Sequence, residues 1–243
     1  MHTRWILALG LLLTFTWVSC LAEAQSAPLI LALGNTGFLD VKGIRAMGAD
    51  VRTDLGDYAL RDFSVVVLAN IAFPALPGPV QQGLVQYVTD GGAVLITGGP
   101  QSFGGGGYNA VAAIIPFQIR SESDWHAIPF RPPVPIQPGH PILAGVEFIT
   151  VGNINDMNPR PGAVEILQAA GGGSAAARAP GAGGVGGGSY PYPLIDELSV
   201  GAGRVIGIAF DLNEFAGMRD RDLFVRNTIG YLLTASRIVP PAR

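Results

Sequence analysis

Cysteine occurs once in the 243 residues, at Cys20, and lysine once, at Lys42. Histidine occurs three times, at His2, His126 and His140, and charged residues make up only 14% of the chain. Each scarcity excludes something. One cysteine near the N-terminus cannot build a disulfide framework or a cysteine-rich metal centre. A formal net charge of −3 with a single lysine leaves no basic footprint, which argues against a nucleic-acid partner. With so few histidines, a catalytic centre built on an imidazole has only His126 and His140 to draw on past the first residues.

What is present begins with an uncharged apolar run, Trp5 to Leu21, preceded by Arg4 and followed by Ala22-Glu23-Ala24. Small residues after a short apolar run are the pattern of a signal peptide, residues 1–24, cleaved after Ala24. The run is short for a bilayer span, so no retained transmembrane helix is expected. A second reading takes Trp17-Val18-Ser19-Cys20 as a lipoprotein site with Cys20 acylated, although a bulky Trp stands where a branched aliphatic belongs. Both readings place the protein in the periplasm or outside the cell, and both remove its only thiol from chemistry. Residues 25–243, half of them apolar in type, suit one compact domain.

Pro28 to Gly34 reads as a buried strand ending in the turn Gly34-Asn35-Thr36-Gly37. Asp50 to Leu55 is a weaker strand. Ser64 to Asn70 is β-branched and almost continuously apolar, the signature of a central parallel strand covered on both faces. Val80, Leu84, Val85 and Val88 share one helical face before Gly91-Gly92 stops the helix. Ala93 to Thr97 is the next strand, leading through glycines to a helix near Asn109 to Ile115. Pro116 to Arg160 carries no sustained period and reads as an irregular excursion. Ala163 to Gln168, Leu194 to Leu198 and Arg204 to Phe210 read as strands, and a last helix aligns Val225, Ile229, Leu232 and Leu233. Between the first two of these, residues 171–188 are nearly all Gly and Ala and are expected to form a flexible loop. Strand, helix and strand alternating over short connections predict a parallel α/β sheet.

Three segments, GGAVLITGGPQSFGGGGY at 91–108, YPLIDELSVGAGRVIGIAFDL at 192–212 and LFVRNTIGYLL at 223–233, together resemble the class I glutamine amidotransferase-like superfamily, in particular its domains in exported or membrane-attached bacterial proteins. The resemblance implies a flavodoxin-like three-layer sandwich with a mainly parallel sheet, and a site on the crest formed by the carboxyl ends of the strands. In the active members of that superfamily an elbow cysteine is activated by a histidine with an acidic partner. Here the elbow offers Pro100, Gln101 and Ser102, and the late strand ends in Asp211-Leu212-Asn213-Glu214 without a histidine. The thiol machinery is therefore missing.

The remaining candidates are oxygens and amides. Ser102 is the one candidate nucleophile, and it would need a histidine; no G-x-S-x-G motif supports it. Gly104 to Gly107 either cradles an anion on its backbone amides or simply turns the chain, and it lacks the lysine and hydroxyl of a phosphate loop. Asn35, Asn70, Ser102, Tyr108 and Asp211 converge on the crest as ligand-binding candidates if the sheet is wound as expected. Asp211 and Glu214 fit either a helix cap or an oxygen cluster for a sugar hydroxyl, a peptide amide or a cation. Trp125, Tyr190 and Tyr192 flank the crest or pack inside it. No cofactor and no metal site is implied. The expected role is non-catalytic binding or scaffolding of a small ligand or an envelope protein. The alternative is a hydrolase that attacks an amide or glycosidic bond through Ser102, or through water activated by Asp211 or Glu214.

Overall fold

The computed structural model describes residues 26–128, 133–147, 151–173, 190–214 and 219–238. The apolar run with its cleavage site, Cys20 and residues 174–188 lie outside them. Among the described residues no helix is long and apolar enough to cross a membrane.

The chain runs β1 (Leu29–Gly34), α1 (Val41–Ala46), β2 (Asp50–Arg52), β3 (Val65–Ala69), α2 (Gly78–Thr89) and β4 (Ala93–Thr97). A 3-10 helix (Tyr108–Ile114) precedes five three-residue strands: β5 (Phe117–Ile119), β6 (Trp125–Ala127), β7 (Pro133–Pro135), β8 (Asn153–Asn155) and β9 (Met157–Pro159). Two long strands, β10 (Val164–Gly173) and β11 (Tyr190–Val200), then β12 (Gly203–Ile208) and α3 (Arg221–Ala235), complete the fold.

Eight strands form one sheet in the order β2-β1-β3-β4-β12-β11-β10-β7. The five strands from β2 to β12 are parallel, and β11, β10 and β7 continue the sheet antiparallel. Strands β3 and β4 are buried at every residue because both faces of the sheet are covered. One face packs against α1 and α3 through Ile44, Phe224, Val225 and Ile229. The other packs against α2 and the 3-10 helix through Val80, Leu84, Val111 and Ile114. The result is the expected flavodoxin-like three-layer sandwich.

Three local expectations change. The segment 116–160 is not irregular throughout: β5 pairs with β9 and β6 with β8 in two small antiparallel sheets. Strands of three residues interleaved with proline leave no period to read. The helix expected at 109–115 is a 3-10 helix kinked at Val111. Gly171 to Gly173 extend β10 rather than opening the loop, and β11 begins at Tyr190, so this hairpin is longer than its apolar core.

Candidate functional site

Four parallel strands deliver their carboxyl ends to one crest. At the end of β3, Asn70 adopts φ 41°, a left-handed conformation that Asn tolerates better than most residues. Its side chain is thereby aimed across the sheet. Asn70 Nδ2 donates to Asp211 Oδ2 at 2.9 Å, and Asn70 Oδ1 accepts from the Gln101 backbone N–H at 2.9 Å. Close packing demands a glycine beside it: Gly99 has φ 136°, and a Cβ there would stand 2.3 Å from the Asn70 amide carbon.

Asp211, just past β12, is 3% exposed. Its Oδ1 accepts from the Asn213 backbone N–H at 2.8 Å and from Asn213 Nδ2 at 3.1 Å. Asn213 Nδ2 also donates to the Asn35 carbonyl at 2.6 Å, tying the end of β1 to the end of β12. Glu214 is exposed and accepts from Asn153 Nδ2 at 3.0 Å. Asn35, Asn70, Asp211 and Asn213 thus form one connected network, with Gln101 exposed at its edge. Both Asp211 oxygens are held by amide donors, so the carboxylate is fixed as an acceptor and braces the network.

Ser102 does not belong to that surface. It is 0% exposed, and its hydroxyl donates to the Thr97 carbonyl at 2.6 Å, closing the turn after β4 from beneath. Tyr108 is also fully buried; its hydroxyl donates to the Ile71 carbonyl at 2.9 Å, and its ring packs against Phe73 and Phe103. Burial pushes its phenol pKa well above the usual tyrosine range. Both residues serve the core. From sequence the crest and the core beneath it look alike, because a turn can point a hydroxyl either way.

Neither histidine serves Ser102. His140 Nε2 lies 2.9 Å from Glu197 Oε2, and its Nδ1 accepts from the Ile142 backbone N–H. Glu197 also accepts from Tyr231 on α3 and pairs with Arg204 at 2.7 Å, an ion-pair cluster on the α3 face of the sheet. His126 is exposed on β6, opposite Ile154 on β8. No base therefore bonds to the buried hydroxyl.

Two residues that sequence reasoning passed over organise the glycine turn. Asn155, fully buried at the end of β8, accepts from the Gly99 N–H at 2.9 Å and donates to the Gly99 carbonyl at 3.1 Å. It also donates to Asp124 Oδ1 at 3.1 Å. Asp124 is 2% exposed, and its carboxylate accepts from the Gly104 N–H at 3.0 Å and the Gly105 N–H at 3.3 Å. Burial raises its pKa above the usual carboxylate value, against these hydrogen bonds, which act to lower it. A polar run before an aromatic, Ser121-Glu122-Ser123-Asp124-Trp125, is the only trace of this in sequence. Among the described residues no group of three or more His, Cys, Asp or Glu could hold a metal ion.

Fold and crest together define an α/β domain of the flavodoxin-like class. No protein-family model matches the chain, and no curated protein matches it in sequence. Solved structures do share its fold. Cytoplasmic protein STM1381 from Salmonella typhimurium LT2 aligns with TM-score 0.64 at 16% identity, over 86% of this chain and 100% of its own. Cytoplasmic protein STM3548 from Salmonella typhimurium aligns with TM-score 0.62 at 15% identity, over 86% of this chain and 99% of its own. A protein named as ThuA-like, from Bacteroides uniformis, gives 0.56 at 13% identity, over 89% of this chain and 95% of its own. At such identities the likeness is one of fold.

These likenesses correct the expected localisation. Export to the periplasm or cell surface, with the lipoprotein alternative at Cys20, rested on the N-terminal residues 1–24 alone, whereas two proteins that share the fold over 86% of this chain are named cytoplasmic. An apolar run records hydrophobicity and not destination. The periplasmic placement and the envelope partner are withdrawn.

Proposed function

We propose that this chain is a non-catalytic domain of amidotransferase-like ancestry whose crest binds a small neutral ligand rich in hydroxyl or amide groups. The observation that carries this reading is the placement of Ser102: the one candidate nucleophile is buried and donates its proton to the Thr97 carbonyl. A serine nucleophile needs a base within hydrogen-bond reach and an exposed oxygen, and neither condition is met. The carboxylates fare no better as bases. Asp211 is buried and accepts three hydrogen bonds from Asn70 and Asn213, and Glu214 lies exposed in solvent, its Oε2 accepting from Asn153.

The surface residues suit recognition. Asn35 and Gln101 expose side-chain amides, each a donor and an acceptor, which match hydroxyl and amide groups without demanding charge, and Asn70 and Asn213 hold the backbone beside them. Trp125, half-buried beside the turn, supplies an apolar flank. Isothermal titration of the full chain with neutral polyols and N-acyl amides tests the reading. Saturable heat that disappears in Asn213→Ala supports it. Turnover of an ester, amide or glycoside substrate that is lost in Ser102→Ala overturns it in favour of the hydrolase.

A further inference from the structure

The Gly104–Gly107 run is the motif that the crest network leaves unused. Its first two amides point the same way, and the group they hold is a carboxylate from elsewhere in the chain. Consecutive backbone N–H groups converging on one point form an anion-binding nest. We propose that the Gly104–Gly105 turn is a carboxylate-binding nest and that Asp124 occupies it as a built-in ligand, latching residues 121–127 across the crest.

The geometry supports an occupied receptor rather than an incidental contact. Both carboxylate oxygens are used: Oδ2 by Gly104, Oδ1 by Gly105 and by Asn155 Nδ2. Two backbone N–H groups and the Asn155 amide hold the buried carboxylate, while Arg120 pairs with Asp156 at 2.8 Å. Space is shaped to the occupant. A Cβ on Gly104 would stand 3.0 Å from the Asp124 carboxyl carbon and 1.9 Å from the Ser121 carbonyl oxygen. Asn155 holds Gly99 through both ends of its amide, and its Nδ2 donates to Asp124 as well, which couples the latch to the turn that positions Asn70. Access exists from solvent, because Gly105 and residues 121–123 are exposed. In this arrangement the amides that would steady an anion developing on a substrate are already filled, which agrees with the non-catalytic function proposed above.

Asp124→Gly removes a group the size of acetate, so acetate is the probe. Full-length protein is melted at constant ionic strength in chloride, acetate or acetamide. The expected result is a lowered melting temperature for Asp124→Gly in chloride, recovered by at least half in acetate with saturation, and not in acetamide. Wild type is expected to melt alike in all three. In a Trp5→Phe, Trp17→Phe background Trp125 is the remaining tryptophan, and its emission is expected to shift to the red in Asp124→Gly and return with acetate. Equal response of wild type and variant to acetate, or equal rescue by acetamide, overturns the proposal. If Asp124→Gly does not fold, Asp124→Asn decides: it keeps the shape but aims a donor at a donor. A lowered melting temperature with about tenfold faster hydrogen exchange at Gly104 and Gly105 supports the nest; wild-type values for both overturn it. Loss of crest binding in Asn213→Ala bears on the proposed function alone.

Discussion

The parallel half of the sheet and its antiparallel continuation differ in what they bury. Strands β1, β3 and β4 bury aliphatic side chains, with Thr97 the one buried polar residue among them. The strand β11 buries two carboxyl groups in succession, Asp196 and Glu197. Glu197 is paired, with His140, Tyr231 and Arg204 around it. Asp196 is not: it is 1% exposed, its Oδ1 has no hydrogen-bond partner, and it stands opposite Glu165 on β10. Burial and, secondly, the Glu165 charge push its pKa up to about 8. The parallel half is therefore held by burial that is indifferent to pH, and the continuation carries a proton-dependent weakness.

The contrast can be broken from either side. Leu95→Ala in the centre of β4 opens a cavity in a fully buried layer and is expected to cost about 3 kcal/mol, equally at pH 5 and pH 9, in urea unfolding. Asp196→Asn acts in the opposite sense and only at higher pH. Because the folded pKa of about 8 lies above the usual 3.8, the native state keeps a proton that the unfolded chain releases between these values. Wild-type stability from this group is thus full below the lower value and drains as pH rises towards 8, at up to about 1.4 kcal/mol per unit. The uncharged amide is expected to flatten that slope and to make the variant the more stable protein at pH 9. Equal slopes for wild type and Asp196→Asn would remove the distinction between the two halves.

On the crest, Asn70→Ala deletes the bonds to Gln101 and Asp211 and leaves a left-handed residue without its supporting amide. Destabilisation of about 1–2 kcal/mol is expected, with loss of ligand heat in titration. Ser102→Ala is the smallest change: one hydrogen bond to Thr97, worth about 1 kcal/mol, is lost and crest binding is retained.

Legibility followed the same division. Strands β3 and β4 were readable because continuous burial on two faces writes a continuous apolar run, Val65 to Ala69 and Ala93 to Thr97. Asn70 and Asp211 were readable because the topology of parallel strands fixes which ends meet. The short helix α1 was not, since its six residues bury only Ile44 and its cap, Asp40 accepting from Gly43, leaves a weak pattern. Asn155 and Asp124 were out of reach for another reason. Their partners Gly99 and Gly104 lie 56 and 20 positions away, and nothing local distinguishes a buried Asn or Asp from a loop residue. Ser102 shows the converse: a motif can name the right position and still not say which way the side chain points.

The measurement closest to the central claim is covalent labelling of the full-length protein with an alkyl fluorophosphonate, read by intact mass. Buried beneath the turn and bonded to the Thr97 carbonyl, Ser102 is expected to remain unmodified, and wild type and Ser102→Ala each to keep the unlabelled mass of its own sequence. A stoichiometric adduct on wild type that is absent from Ser102→Ala would show an activated serine at the crest and would contradict the binding account.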